Sequence, residues 1–348
     1  MAYEIDYIPV GDGEKSGDAI LLRFGNLIGQ RSEQTVVVID GGFIESGQEI
    51  VQHLSKYYGT NEVDLVISTH PDADHASGLS VVLDKCTVGL LLMHKPWDHA
   101  DDIKNLFKDG RITATGLEEK LEKSLQDASD LEALAIKKGV RIVEPFQGVH
   151  GFSMQILGPS QDYYEKLLAN FKSTPTPIQS LITPFIKAAE GVIKWIEDRL
   201  DIDLLNDDED TTSAENNTSV ITLFEIDGHK LLFTGDAGKT ALLFAADYAE
   251  GQTKILTDLN FFDVPHHGSK RNLSSKVLSR IKAGVAFISA AKNSPKHPSK
   301  KVTNALKKHG ASVYVNNKGN TIMHGHNSPD RPNWGPIEEE KFHDKVED

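Results

Sequence analysis

The sequence predicts a layered α/β sandwich, in which two strand-rich halves pack together with helices outside. Two observations predict it. Apolar runs of strand length gather in residues 19–93 and again in residues 219–315, around a helical, acidic middle. Carboxylates and imidazoles then recur where those runs end, as they do where open α/β sheets gather their sites.

In the first half the runs are residues 19–24, 35–39, 63–68 and 87–93, each closed by turn or polar residues. In the second they are 219–226, 230–233, 261–264, 285–289 and 312–315, and the Asp227-Gly228 pair between the first two is a hairpin signal. Between the halves, the spacing predicts one amphipathic helix over 117–135. Ile178, Leu181, Ile182, Phe185, Ile186, Val192, Ile193 and Ile196 predict a second, which Pro184 should kink or start. The acidic stretch 206–217 is expected to be an exposed loop.

With 39% hydrophobic and 25% charged residues, the composition is that of a globular protein able to bury a sizeable core. No stretch approaches the ~18–20 apolar residues of a membrane span. The first residues carry no secretory signal, and the single cysteine, Cys86, excludes an internal disulfide framework; both fit a cytoplasmic protein. The net charge of −14 argues against a polyanionic partner, but its distribution does not. Residues 264–326 contain twelve Lys or Arg and no Asp or Glu, leaving −26 on the rest of the chain. Residues 197–215 hold nine acids against Arg199 alone. One face should attract anions and another repel them.

The chemistry is densest at Ser68-Thr69-His70-Pro71-Asp72-Ala73-Asp74-His75, where four potential ligands in the pattern H-x-D-x-D-H follow a strand. Imidazole with carboxylate is a divalent-metal mixture. A polar turn with one Asp capping a helix near Ala76 is the plainer alternative, but two Asp and two His at this spacing exceed what a cap needs. Three further strand ends carry Asp40-Gly41-Gly42, Thr234-Gly235-Asp236 and His266-His267-Gly268-Ser269. Each is weak alone.

The ordered set of Asp40, H-x-D-x-D-H, T-G-D and H-H-G-S resembles the metallo-β-lactamase superfamily, and within it the soluble nuclease-like domain of the competence protein ComEC. Gly17 to Leu22, Asn217-Thr218-Ser219, His297-Pro298 and the last apolar segments follow the same likeness. The resemblance implies an αβ/βα four-layer sandwich of two mixed β-sheets with outer helices. It spans residues 1–326 as one domain, with a helical and acidic insertion at 161–215 and a polar tail at 327–348. It further implies that His70, Asp72, Asp74, His75 and Asp236 hold one or two divalent ions, Zn²⁺ or Mn²⁺, and that His266 or His267 completes the second site. Asp40 would orient a ligand histidine, and His297 would approach the scissile group. Asp72, Asp74, Asn217 and His297 are thus the candidate catalytic residues. The chain departs from the commoner H-x-H-x-D-H pattern at Asp72. It has Asn217, at most a weak amide ligand, where a third histidine is usual, so the first metal site is expected to be poorly supplied.

A metal that lowers the pKa of bound water to near ~7 would provide hydroxide for attack on a phosphodiester. The basic segment around H-H-G-S makes a nucleic acid the expected substrate. Hydrolysis of a small ester, thioester or lactam is the alternative, as is a degenerate metal-binding regulatory module. The insertion at 161–215 is the expected docking element for a protein partner.

Overall fold

The computed structural model describes residues 1–178, 195–199, 204–207 and 209–347. Most of the second expected helix, including Pro184, lies outside them. The first sheet contains β1 (Ala2–Tyr7), β2 (Ile20–Gly25), β3 (Gln34–Ile39), β4 (Glu62–Ile67), β5 (Thr87–Leu92) and β6 (Arg141–Val143) in that order, with β15 (Ile322–His326) outside β1. The second runs β14 (Ser312–Asn316), β13 (Ala283–Ser289), β12 (Leu259–Asp263), β11 (His229–Phe233), β10 (Ile221–Ile226), β8 (Met154–Gly158) and β7 (His150–Gly151). Both sheets are mixed: β3 to β6 and β11 to β14 are parallel, and the remaining pairings are antiparallel.

The strands read as nearly continuous apolar runs because both sheet faces are covered. In β3, Val37 and Ile39 join the core between the sheets, whereas Val36 and Val38 pack under the helices of the first half. On the other sheet Phe261 points inward to the first sheet and Phe262 outward to its own helices. Three apolar cores therefore separate four layers, helices outside and sheets within.

The expected strands are all present, and the Asp227-Gly228 turn takes the left-handed φ values, 52° and 82°, of a tight hairpin. Other expectations need correction. The single helix over 117–135 is two, Ala114–Ser124 and Gln126–Lys138, broken at Leu125, where ψ turns to 48°. The helix expected near Ala76 begins at Ala73 and stops at once. A second, Leu79–Lys85, follows after Gly78, whose backbone touches Gly41 so closely that a Cβ would lie 2.0 Å from the Gly41 carbonyl. Ile196 lies in a strand, β9 (Trp195–Glu197), paired with β16 (Lys345–Glu347). The acidic stretch is tied down: Asp207 and Asp210 accept hydrogen bonds from the backbones of Lys276 and Thr240, in the first turns of the helices Ser275–Arg280 and Lys239–Gly251. His324 and His326 belong to β15, with the His324 ring against Phe261 and Phe287.

The C-terminal tail is part of the packing. Val346 is buried, and Asn304 bonds both ways with the backbone of His343. Arg331 reaches back to β1, where Glu4 and Asp6 are fully buried, and lies 2.9 Å from the first and 2.6 Å from the second. Arg23, His53 and Tyr58 complete this network. Removing one partner strands the others' charge, so Arg331→Ala should cost about 3–5 kcal/mol in urea unfolding. An unchanged midpoint would show that the tail contact is dispensable.

His94 is buried, stacked at 4.3 Å on Tyr164, and neither ring nitrogen has a hydrogen-bond partner. Burial, with His99 nearby, pushes its pKa from 6.5 to about 3. The unfolded chain then binds a proton that the folded chain refuses, so stability is lost as pH falls from about 6.5 towards 3. His94→Phe keeps the stack and removes the titration. Between pH 7 and pH 5 the parent should lose about 2 kcal/mol more than the variant, measured by denaturant titration at both pH values.

Candidate metal centre

The parallel strands of both sheets end on one edge, and their C-terminal residues meet there. Asp40 follows β3, Thr69 and His70 follow β4, Asp236 follows β11, and His266 and His267 follow β12. Because β2 and β10 run antiparallel to β3 and β11, the residues before them, Asp18 and Asn216 to Ser219, come to the same edge. The fold thus brings together His70, Asp72, Asp74, His75, Asp236, His266 and His267, which are separated by up to about two hundred residues of sequence.

Asp236 is the hub. It is 3% exposed, and four imidazole Nε2 atoms face it: His75 at 3.6 Å and His267 at 3.9 Å from Oδ1, His266 at 3.5 Å and His70 at 4.0 Å from Oδ2. Asp72 Oδ2 lies 3.8 Å from His70 Nε2, and Asp74 groups with His75 and His267. Each histidine is held by its other nitrogen. His75 Nδ1 is 2.8 Å from Asp40 Oδ2, and His70 Nδ1 is 3.0 Å from Thr69 Oγ1, which itself donates to Asp40 at 2.6 Å. His266 Nδ1 meets Asn272 Oδ1 at 3.0 Å, and His267 Nδ1 meets the Ser289 carbonyl at 3.1 Å. With Nδ1 engaged in this way, all four rings present Nε2 inward, the arrangement that orients metal-binding histidines.

These atoms want a cation. His70 Nε2, His75 Nε2, Asp236 Oδ1 and Asp18 Oδ1 are buried without any hydrogen-bond partner. Each such orphan costs ~1–3 kcal/mol, a penalty that a shared ion relieves. The electrostatics agree. Burial would raise the Asp236 carboxyl, but His266, His75, His267 and His70 outweigh it and hold the group well below the usual carboxylate range. Burial would lower His267, yet Asp18 and Asp236 lift it to about 9. His70 is pushed down, first by burial and then by His75, so its Nε2 is a free base. Burial and the neighbouring Asp74 push Asp72 up to about 6. The residues fit a divalent ion.

One expectation changes. Asn217 is buried, but its amide bonds the Thr212 carbonyl and the Gly238 N–H, both backbone groups, and is turned from the centre. Its neighbour Asn216 instead donates to Asp236 Oδ2 at 2.9 Å. Three participants escaped the sequence reading as site residues. Asp18 lies 3.5 Å from His267 Nδ1, and only the Gly17-Asp18 segment hinted at it. Asn216 and Asn272 carried no local signal; Asn272 also donates to the Asp236 and Ala237 carbonyls. His297 stands beside the cluster, its ring 5.9 Å from His266 and 6.1 Å from His267. Burial and those two rings push its pKa down to about 3, so it is neutral.

A family model described as the metallo-beta-lactamase superfamily matches residues 21–292. The chain is 26% identical over 140 residues to ComE operon protein 3 of Bacillus subtilis, a match covering 38% of this chain and 17% of that protein. It is 30% identical over 121 residues to Recombination protein 2 of Haemophilus influenzae, covering 34% and 14% respectively. The matched stretch thus spans less than a fifth of either relative's length. Among solved structures it is similar to a diphosphatase of the PhnP family, at 11% identity and a TM-score of 0.38, covering 93% of this chain and 99% of that one.

Asp40 holds the His75 ring directly and the His70 ring through Thr69, so Asp40→Asn should keep the fold and weaken metal binding about 10–100-fold. Titrating chelator-stripped protein with Mn²⁺ or Zn²⁺ measures this; wild-type affinity in the variant would remove Asp40 from the centre.

Proposed function

Because this chain belongs to the metallo-beta-lactamase superfamily of metal-dependent hydrolases, we propose that it cleaves phosphodiester bonds of a nucleic acid. The observation that carries this reading is the position of the donor cluster, whose H-H-G-S turn runs directly into the exposed basic pair Lys270-Arg271. Lys292 and Lys296, also exposed, precede His297 in the same stretch of chain. Phosphate contacts from such residues grip a backbone without reading its sequence. The name of one relative, Recombination protein 2, is compatible with this substrate class.

His70, Asp72, Asp74, His75, Asp236 and the His266-His267 pair would hold the cation. The donor set mixes imidazoles with carboxylates, so Mn²⁺ is a candidate alongside the superfamily's usual zinc. When bound, a divalent ion lowers the pKa of water from 15.7 towards ~7 and offsets charge on a phosphoryl oxygen. The protein's own part is positional. Asp72 and Asp74 orient the attacking water from the mouth of the site. His297, neutral at working pH, offers one hydrogen bond to a non-bridging oxygen or the leaving group. Asp40 and Thr69 keep His75 and His70 from rotating. No serine or cysteine nucleophile is required, and burial pushes the Cys86 thiol up to about 11, far from reactivity.

The charge on the basic segment is smaller than its composition implies. Arg280 pairs with Asp247 and Glu250, Lys307 with Glu339, and Lys308 with Asp198.

Oligonucleotide binding to an Asp236→Asn variant, measured from 50 to 200 mM salt, tests the substrate. Three or four phosphate contacts imply roughly tenfold or greater loss of affinity over that range, at about −0.7 to −0.9 in slope per contact. Lys270→Gln with Arg271→Gln should flatten the slope and weaken all sequences alike, leaving metal content unchanged. If neither single nor double strands bind at low salt, hydrolysis of a small molecule replaces this reading.

A further inference from the structure

A separate group of donors stands among the helices of the first half and shares no residue with the strand-end centre. His99 closes the short turn Pro96–His99, and Asp102 follows one helical turn later in Ala100–Ile103. Glu165 comes from the helix Gln161–Leu168, and Glu144 directly follows β6. His99 is buried, and its two ring nitrogens face different partners. Nε2 lies 3.2 Å from Glu144 Oε1, an oxygen already fixed by the Lys95 N–H at 2.9 Å. With Nε2–H donating there, the Nδ1 lone pair faces Glu165 Oε1 at 3.3 Å and Asp102 Oδ2 at 4.0 Å. One ligand atom from each of His99, Asp102 and Glu165 lies within 4.8 Å of the others. Bonds of about 2.0–2.2 Å set donors ~3.5 Å apart around a tetrahedral ion, so little contraction is needed. Glu165 is steadied in turn by the Gln161 amide at 2.8 Å. A carboxylate at the far nitrogen of the histidine, and hydrogen-bonded carboxylates beside it, are the usual supports of a protein metal site.

Charge and burial point the same way. Three carboxylates share one imidazole, and the nearby lysines are engaged elsewhere: Lys95 with Asp98 and Glu132, Lys104 with Asp101, Lys166 with Asp162. A proton on His99 offsets one of those three charges. Beside His99 there are also polar atoms with nothing to bond. The Tyr164 ring stands 5.3 Å from His99, and His94 stacks on Tyr164 at 4.3 Å. The Tyr164 hydroxyl and both His94 ring nitrogens are buried without hydrogen-bond partners. An ion with three protein ligands keeps water in its remaining positions, and such atoms can bond it.

From this arrangement we infer that His99, Asp102 and Glu165 hold a divalent cation outside the strand-end centre, with Glu144 orienting the histidine. One imidazole with two carboxylates suits Zn²⁺ or Mn²⁺. Asp102 is exposed, which gives the ion a way in. Its role is structural: it ties Ala100–Ile103 to Gln161–Leu168, and the chain beyond that helix reaches the centre. There the Lys172 N–H donates to Glu215 at 2.7 Å, and the next residue, Asn216, holds Asp236.

Zn²⁺ titration of the chelator-stripped chain, by equilibrium dialysis with elemental analysis and by thermal melting, tests the site. Asp236→Ala with His75→Ala disables the strand-end centre and serves as the background. That chain should keep one tightly bound ion and melt higher when it binds. Glu144→Gln should weaken this ion about 10–100-fold. Asp102→Asn with Glu165→Gln should abolish tight binding without lowering the metal-free melt, because it relieves carboxylates crowded on one ring. Should the background fail to fold, the same pair of substitutions in the wild-type chain should bind one ion fewer than wild type. If the folded background binds no Zn²⁺, or if the Asp102 and Glu165 changes leave ion count and affinity unaltered, His99 holds only a proton between carboxylates and the inference is wrong. Those two changes leave every residue of the strand-end centre in place, so their failure does not touch the reading of that centre.

Discussion

Four imidazole nitrogens crowd one buried carboxylate, and the surrounding structure exists to keep them there. Asp236 cannot be left ionised in a low-dielectric interior unless positive charge is supplied, and His266, His75, His267 and His70 are the groups that hold it so. The charge has to come from protons on the histidines or from cations among them. Everything that touches the rings restricts rotation: the Asp40 carboxylate takes the His75 ring and the Thr69 hydroxyl on one oxygen and the Thr69 N–H on the other. Asn272 joins the His266 ring to the carbonyl of Asp236 itself, so the hub and one of its partners share a tether.

That convergence dictates the fold's layout. The two sheets are mixed in mirrored fashion, each with a parallel block whose C-terminal edge faces the same cleft. Parallel strands expose successive loops at one end, so each sheet delivers its functional loops to the same place. The antiparallel strands on either side bring the beginnings of β2 and β10 to that edge, adding Asp18 and Asn216. The acidic segment before β10 is also part of this construction. Asp207 and Asp210 satisfy two helix N-termini, and the buried turn that follows carries Asn216 to Asp236. A stretch whose composition reads as solvated loop is thereby connected to the hub.

Charge shows the same contrast between composition and space. Twelve basic residues without an acid make residues 264–326 look like one polyanion-binding surface. Folding places acids from elsewhere against Arg280, Lys307 and Lys308, and a nearby Glu14 lies 3.8 Å from Lys296. The tail does likewise for β1: Glu4 and Asp6 would be untenable in the core without Arg331, which lies more than three hundred residues away.

By itself the sequence determined the strands, their turns and the metal-type residues at their ends, because apolar runs, Asp-Gly turns and the H-x-D-x-D-H spacing are local patterns whose physics acts within a few residues. Strand β1 was legible in principle, with Tyr3, Ile5 and Tyr7 alternating against Glu4 and Asp6, but those acids disguised a buried strand. Tertiary structure alone decided which atoms meet. The direction of His266 and His267 depends on left-handed φ values at both and at Gly268, the redirection of Asn217 on a backbone carbonyl and an N–H, and the roles of Asp18, Asn216 and Asn272 on contacts across strands. Such contacts join residues far apart in the chain, and a hydrogen bond's few ångströms of reach leave no trace in the spacing of the residues that make it.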